Sequence, residues 1–143
     1  MPLRTARRTT SAALLVLMLA ACTSSKTAAK DPGPTVADFT DGPCRIAAPA
    51  VLALRKAARQ LPSAPGVVAP AVQQAVITAQ DQLLPSSTGT DALGKAALSM
   101  VQEAGFVRLQ AVGSSYDPGT GKTLLADIDA YIVRCTTPTP TPS

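Results

Sequence analysis

The sequence contains no histidine and no tryptophan, and its aromatic residues are limited to two phenylalanines and two tyrosines. The absence of histidine excludes histidine-based acid–base catalysis and metal sites with histidine ligands. Glu103 is the only glutamate, and charged residues make up 15% of the chain. With so few aromatic side chains, a hydrophobic core has to be built from alanine, valine, leucine and isoleucine.

The chain begins with a basic segment that precedes a short apolar run, the order found in export signals. Arg4, Arg7 and Arg8 are followed by the apolar residues 12–21 and then by Cys22. These are the n-region, the h-region and the cleavage point of a signal peptide. The run is too short for a transmembrane helix, which needs about 20 residues. An ordinary secretory signal is the simpler alternative, and the adjacent arginines leave twin-arginine export open.

The segment Leu19-Ala20-Ala21-Cys22 resembles the lipobox of bacterial lipoproteins. In that family a peptidase cuts before the cysteine, whose sulfur and new amine then carry acyl chains such as palmitate. The resemblance implies that residues 1–21 are removed and that Cys22 anchors the mature chain in the cell membrane, facing outside the cytoplasm. Two or more acyl chains hold a protein on a membrane, whereas one binds only marginally. The alanine, threonine and proline content is typical of a high-GC genome, for example an actinobacterial one.

The formal net charge of +4 would suit a nucleic-acid or anionic partner. Removal of the three signal-peptide arginines leaves ten basic and nine acidic residues, or about +1. The remaining basic cluster, Arg55, Lys56 and Arg59, has the spacing of a solvated helix face. We therefore expect no nucleic-acid partner.

Two cysteines remain when Cys22 is acylated, namely Cys44 and Cys135. Outside the cytoplasm they can stay oxidised, and they allow one intramolecular pairing. Two free thiols or an intermolecular bond are the alternatives.

The mature chain divides into three parts by composition. Residues 22–42 are polar with interspersed proline and glycine, which predicts a flexible tether that spans about 25 Å on average. Residues 43–135 form the predicted helical domain. Residues 136–143 alternate threonine and proline, a pattern that favours extended polyproline conformation and offers hydroxyls for O-linked sugars.

Four segments within the domain carry apolar residues at intervals of three and four, which predicts amphipathic helices over residues 43–61, 70–84, about 90–112 and 120–134. The predicted stripes are Val51, Leu54, Ala58 and Leu61; Val72, Val76, Ala79 and Leu83; Leu93, Ala97, Val101, Ala104, Val107 or Arg108, and Ala111; and Leu124, Ile128, Tyr131, Ile132 and Cys135. Pro49 either kinks the first helix or begins a shorter one. Gly94 and Gly105 weaken the third helix and would let another helix come close.

Short loops between four helices predict an all-α, up-down-up-down bundle. In that topology the start of the first helix and the end of the fourth lie at the same end, so a bridge between Cys44 and Cys135 is allowed. The loops 62–69 and 113–119 then lie at the other end, which we call the distal end. We expect a partner to bind there, with Tyr116 and Lys122 as candidate contact residues.

Residues 118–126, Pro-Gly-Thr-Gly-Lys-Thr-Leu-Leu-Ala, resemble the Walker A segment of AAA-type ATPases. There, backbone amides surround phosphates, the lysine meets the β/γ oxygens and the threonine holds magnesium. Tyr116 stands where the motif needs a glycine, and the chain offers neither a parallel sheet nor a second acidic motif. We therefore interpret the segment as a turn followed by a helix, although Gly119, Gly121 and Lys122 could hold some anion.

Other chemistry is sparse, and we expect no cofactor, metal or nucleotide. Asp127 and Asp129 are two apart on a helix and point to different sides; with Asp117 they are interpreted as solvent charges. The sequence thus predicts a non-enzymatic, membrane-anchored lipoprotein that interacts with another cell-envelope component. The alternative is an envelope protein that binds a small ligand between its helices.

Overall fold

The computed structural model describes residues 33–136, which are all-helical, with no strand in that range. The helices are α1 (Pro43–Ala58), α2 (Pro70–Leu83), α3 (Ala92–Val112) and α4 (Pro118–Thr136). Two short 3₁₀ helices, Val36–Asp38 and Leu84–Thr88, lie before α1 and directly after α2.

Proline begins three of these four helices, namely Pro43, Pro70 and Pro118. The first position suits proline because its N–H would have no partner there and its fixed φ is already helical. α3 begins instead after Asp91, as expected for an N-cap residue. The Gly94 N–H donates to Asp91 Oδ1 at 2.7 Å, which satisfies one of the free amides of the first turn.

The predicted helix ends are shifted by one to three residues. α1 stops at Ala58 because the chain turns there, and Pro49 lies inside this helix without starting a new one. α2 ends one residue before the predicted position and continues as the 3₁₀ helix. α4 is longer than predicted by two residues at each end. Its N-terminal extension follows from Pro118, because proline can occupy the first position of a helix.

The helices form the predicted up-down-up-down bundle. α1 packs against α2 and α4, and α3 also packs against α2 and α4, so each helix has two neighbours. The predicted stripes of α2 and α4 are buried throughout, and in α3 the buried residue is Val107 whereas Arg108 is exposed. Alanine supplies much of the core and small side chains let the helices approach closely.

The predicted disulfide between Cys44 and Cys135 is confirmed. It joins the second residue of α1 to the end of α4 across a Cα–Cα distance of 5.4 Å and a sequence separation of 91 residues. Both cysteines are buried. The bond therefore clamps the first helix to the last, as the topology allows.

The second half of the predicted tether belongs to the folded domain instead. Residues 35–41, which we call the strap, pack against the disulfide end, and Phe39 is only 1% exposed. The Thr40 N–H donates to the Cys135 carbonyl at 2.8 Å, and Arg45 donates from Nη2 to the Phe39 carbonyl at 2.7 Å. Burial of the phenyl ring and these hydrogen bonds fix the segment. The remaining residues of the predicted tether, 22–32, lie outside the described range.

Candidate functional site

The Walker-like segment forms the start of α4. Two of the hydrogen-bond donors that a phosphate would need, the Gly119 N–H and the Thr123 hydroxyl, are bonded within the chain. The Gly119 N–H donates to Asp117 Oδ1 at 2.8 Å, and the Thr123 hydroxyl donates to the Gly119 carbonyl at 3.2 Å. The Asp117 carboxylate thus occupies the place that an anion would take at this helix start. This geometry argues against the anion site that Gly119, Gly121 and Lys122 suggested in the sequence.

The side chain of Tyr116 is buried, which argues against the contact role predicted for it. Its side chain is 1% exposed and lies against Gly121, where a β-carbon would overlap the Tyr116 hydroxyl. Its backbone pairs with Gly66, with N–O distances of 3.3 and 3.4 Å, and this pairing joins the two distal loops. Burial first, and then the charge of Asp117, raises the pKa of Tyr116. Tyr116 therefore holds the distal end together.

Lys122 is exposed and lines a shallow distal cleft of about 240 Å³. Arg59 and Leu61 from the end of α1 and the turn after it line the same cleft, beside Tyr116. The cleft therefore carries two cations, and a contact role for Lys122 stays a prediction.

The aspartates of α4 point to different neighbours, as their spacing predicts. Asp127 accepts a hydrogen bond from the Ser99 hydroxyl of α3 at 2.6 Å. Asp129 pairs with Arg55 of α1, with an Nε–Oδ1 distance of 2.8 Å. Among residues 33–136, no three side chains of the metal-binding types are grouped as a cation would require. These carboxylates therefore act as links between helices.

Phe106, on α3, is the one aromatic side chain that the bundle leaves largely exposed. Its exposed fraction is 53%, whereas Phe39, Tyr116 and Tyr131 are each 1% exposed. The chain has only four aromatic residues, and all of them lie in the described range. The core thus takes up the other three and leaves this phenylalanine in solvent.

Further apolar residues accompany Phe106 on the side of α3 that faces away from the core. This side, which we call the outer face, consists of Leu98, Gln102, Gly105, Phe106, Leu109 and Val112. Without Phe106, these residues follow at intervals of four and three, the spacing of one helix face. Leu109 and Val112 are 70% and 73% exposed. α3 is also the most apolar and least amphipathic of the four helices.

Sequence reasoning missed the outer face because the inner stripe already accounted for a helix at these positions. The signal that would have found it is a second set of mainly apolar residues in α3. Most of them follow a position of the inner stripe by one residue. A helix that is apolar on both sides is typical of an element covered on both sides.

A cleft of about 570 Å³ between α2 and α3 adjoins the outer face. Gly105 opens it, because a β-carbon there would lie 3.2 Å from Gln80 Nε2. Gln80 donates from Nε2 to the Val101 carbonyl at 2.9 Å, and its buried Oε1 has no hydrogen-bond partner in the described range. Arg108 is the charged residue that lines this cleft, beside Phe106. The cleft is therefore an open groove with an apolar wall and one positive charge.

A second cleft, of about 430 Å³, lies at the disulfide end. Ile46, Leu93 and the loop 85–90 line it, and Tyr131 from α4 contributes to the lining. Burial first, and then the charge of Asp91, raises the pKa of Tyr131. This cleft has the volume of a small-molecule site.

Comparison of the chain with protein-family models, curated proteins and solved structures gives no match. Within residues 33–136 no helix combines the length and the apolar character that crossing a membrane requires. The predicted signal peptide, the lipidation residue Cys22 and all of the predicted Thr-Pro tail after Thr136 lie outside the described residues. Function is therefore argued from the surfaces of the bundle.

Proposed function

We propose that the protein is a lipid-anchored cell-envelope protein that acts as a non-enzymatic interaction module and binds another envelope component through the outer face of α3. The single observation that carries this proposal is the exposure of Phe106 beside Leu109 and Val112. Aromatic side chains are enriched at the centres of protein interfaces, where they supply much of the binding energy. Contiguous exposed apolar residues commonly mark interaction sites.

The anchor is supported by the resemblance of residues 19–22 to a lipobox. Cys22 and Gly33, the first described residue, are eleven positions apart. A chain of that length spans at most about 40 Å. With this anchor, the partner is a component of the same membrane or one within reach of the tether and the bundle together.

Site-specific photo-crosslinking in cells tests the contact. A crosslinking amino acid at position 106 should give a discrete adduct, while the same group at position 133 should not. Val133 is the matched control because it is 62% exposed on α4, two residues before Cys135 at the disulfide end, and lines none of the clefts. Equal adducts at both positions, or none at position 106, would contradict the proposal.

Intact-mass analysis of the membrane fraction tests the anchor separately. The mature chain should begin at Cys22 with acyl additions and should be two hydrogens lighter than the reduced protein, because of the disulfide. Cys22→Ala should release the protein from the membrane. A wild-type chain that keeps residues 1–21 and stays soluble would refute the anchor.

The second candidate function is small-ligand binding in the cleft that Tyr131 lines at the disulfide end. Its volume of about 430 Å³ falls within the range of ligand pockets. Native mass spectrometry of the purified protein would show a retained adduct that Tyr131→Phe weakens. Absence of any such adduct, with crosslinks at position 106, favours the interaction module.

A further inference from the structure

We propose that the outer face of α3 receives an amphipathic helix of another protein, one whose apolar stripe is flanked by acidic residues. This inference rests on the proposed function and adds the chemistry of the partner. It depends on three features of the described residues: the shape of the groove, the spacing of its apolar residues and the sign of its charges.

The shape and spacing suit a helix. The cleft beside Gly105 is a concave groove of about 570 Å³, and Phe106 and Leu109 form part of its wall. A glycine in such a position lets the backbone of a docked helix come close, while the aromatic wall packs against its side chains. The alternating intervals of four and three along the outer face are the spacing of a helix-packing seam, which packs against the seam of a second helix.

The charges at this face are positive. Arg108 lines the cleft, and Lys95 lies three residues before Leu98 in the same helical row. Neither cation has a carboxylate partner within residues 33–136, where the ion pairs are Arg45–Asp41 and Arg55–Asp129. A partner with acidic flanks would complement these charges.

Glu103 is the one acidic residue inside α3, and it does not make the charge beside the cleft negative. Glu103 is four residues after Ser99, which bonds Asp127 of α4. Residues three and four apart are neighbours on a helix, so Glu103 adjoins both Ser99 and Phe106. It lies at the edge of the outer face toward α4 and does not line the cleft. It is also half-buried.

The same charges disfavour two other occupants. A second copy of this chain, docked α3 to α3, would bring Lys95 and Arg108 of both copies to one interface. Like charges that face each other lower affinity. A lipid surface would match the cations, but recognition of anionic lipid typically takes a cluster of about four to eight basic residues, and this face has Lys95 and Arg108.

Two synthetic helical peptides test the proposal. They share one leucine and alanine stripe at intervals of four and three; one carries glutamate beside the stripe and the other carries lysine. With the unacylated mature chain (Cys22→Ser), fluorescence anisotropy should show the glutamate peptide binding at least about tenfold tighter. Arg108→Glu should remove that preference.

Two variants locate the binding site. Phe106→Asp and Gly105→Leu should each weaken binding of the glutamate peptide at least about tenfold. Val133→Asp is the matched control and should leave binding unchanged, because Val133 is 62% exposed on α4 and lines none of the three clefts. Circular dichroism verifies that each variant is folded. Equal binding of both peptides, or binding that survives Phe106→Asp in a folded protein, would overturn the proposal.

Sedimentation and vesicle binding test the two other occupants, a second copy of the chain and a lipid surface. The unacylated chain should remain monomeric and should not pellet with vesicles that contain phosphatidylglycerol. Dimers or vesicle binding that Phe106→Asp abolishes would overturn the helix as occupant. Crosslinks at position 106 without binding of the glutamate peptide would defeat this inference alone, whereas loss of those crosslinks defeats the proposed function.

Discussion

The Tyr116 hydroxyl occupies the space that a β-carbon on Gly121 would fill. Tyr116 Cζ and Leu61 Cδ1 lie 3.2 and 3.3 Å from the same position, so the site is enclosed by two side chains. The second glycine of the Walker-like segment is therefore required by packing at the distal end. The resemblance to a phosphate-binding loop arises from a helix start that has to accommodate a tyrosine ring.

Gly121→Ala should lower the free energy of unfolding by up to about 2 kcal/mol. Overpacking typically costs about 1–3 kcal/mol, while alanine in a helix interior is favoured over glycine by about 1 kcal/mol, so the steric term outweighs the gain. Urea unfolding followed by circular dichroism measures the difference.

The matched control is Gly119→Ala in the same segment, where a β-carbon would meet only the exposed Asp117 side chain at 3.2 Å. It should change stability by less than about 0.5 kcal/mol. In a Tyr116→Phe background, Gly121→Ala should cost less than in the wild type, because the overlapping oxygen is gone. An equal cost in both backgrounds would contradict the contact between hydroxyl and glycine.

Phe39→Ala should destabilise the protein by about 3–5 kcal/mol, the usual cost of truncating a buried phenylalanine. The reason is that the strap is part of the core, with Phe39 1% exposed. Val36→Ala is the control, since Val36 is in the same segment but 38% exposed, and it should change stability little. Thermal unfolding measures both. If both substitutions were equally mild, residues 35–41 would be a tether after all.

The helices and the bundle could be predicted because their core positions recur at intervals of three and four. The disulfide could be predicted because Cys44 and Cys135 are the two cysteines left beside Cys22 and the up-down-up-down topology places both at one end. The strap could not, because Phe39 is a single aromatic residue within a polar, proline-containing stretch and gives no periodic signal. The strap is held by hydrogen bonds to Cys135, which is distant in sequence, and from Arg45, which is a polar residue. Neither contact leaves a hydrophobic pattern in the sequence.

The sequence predicts a contact at Tyr116 in the distal loops, whereas the exposed aromatic residue of the described range is Phe106 on α3. A loop tyrosine suggests exposure, but the side chain of Tyr116 turns inward because Gly121 leaves room for it. Phe106 was counted only as part of a helix, and nothing in the inner stripe showed that it would remain outside. Exposure of a single side chain depends on the neighbouring helices, which sequence periodicity does not specify.

Reduction of the Cys44–Cys135 bond should lower the free energy of unfolding by about 4 kcal/mol, from the entropy of closing a loop of 91 residues. Both sulfurs belong to buried residues, so reduction of the native protein should also be slow. Urea unfolding with and without reductant measures the loss, and a Cys44→Ala, Cys135→Ala double variant that is insensitive to reductant is the control. An unchanged midpoint would show that the bond does not constrain the unfolded chain.

Stability should fall as the pH rises above about 10, the ordinary pKa of tyrosine. Burial raises the pKa of Tyr116 and Tyr131 in the folded protein. Above the unfolded pKa the unfolded chain therefore binds fewer protons than the folded one, and the free energy of unfolding decreases with pH. The contribution of these two groups is fully present below that pH and is lost through the alkaline range.

Absorbance at the tyrosinate band measures this directly, since the chain has two tyrosines and no tryptophan. Folded protein should ionise at higher pH than protein in urea, and Tyr131→Phe assigns the remaining transition to Tyr116. The two titration curves would coincide only if both rings were open to solvent. A raised tyrosine pKa that persists in Tyr131→Phe and disappears on unfolding would show that Tyr116 is enclosed at the distal end. Phe106 of α3 is then the aromatic residue that the bundle leaves exposed.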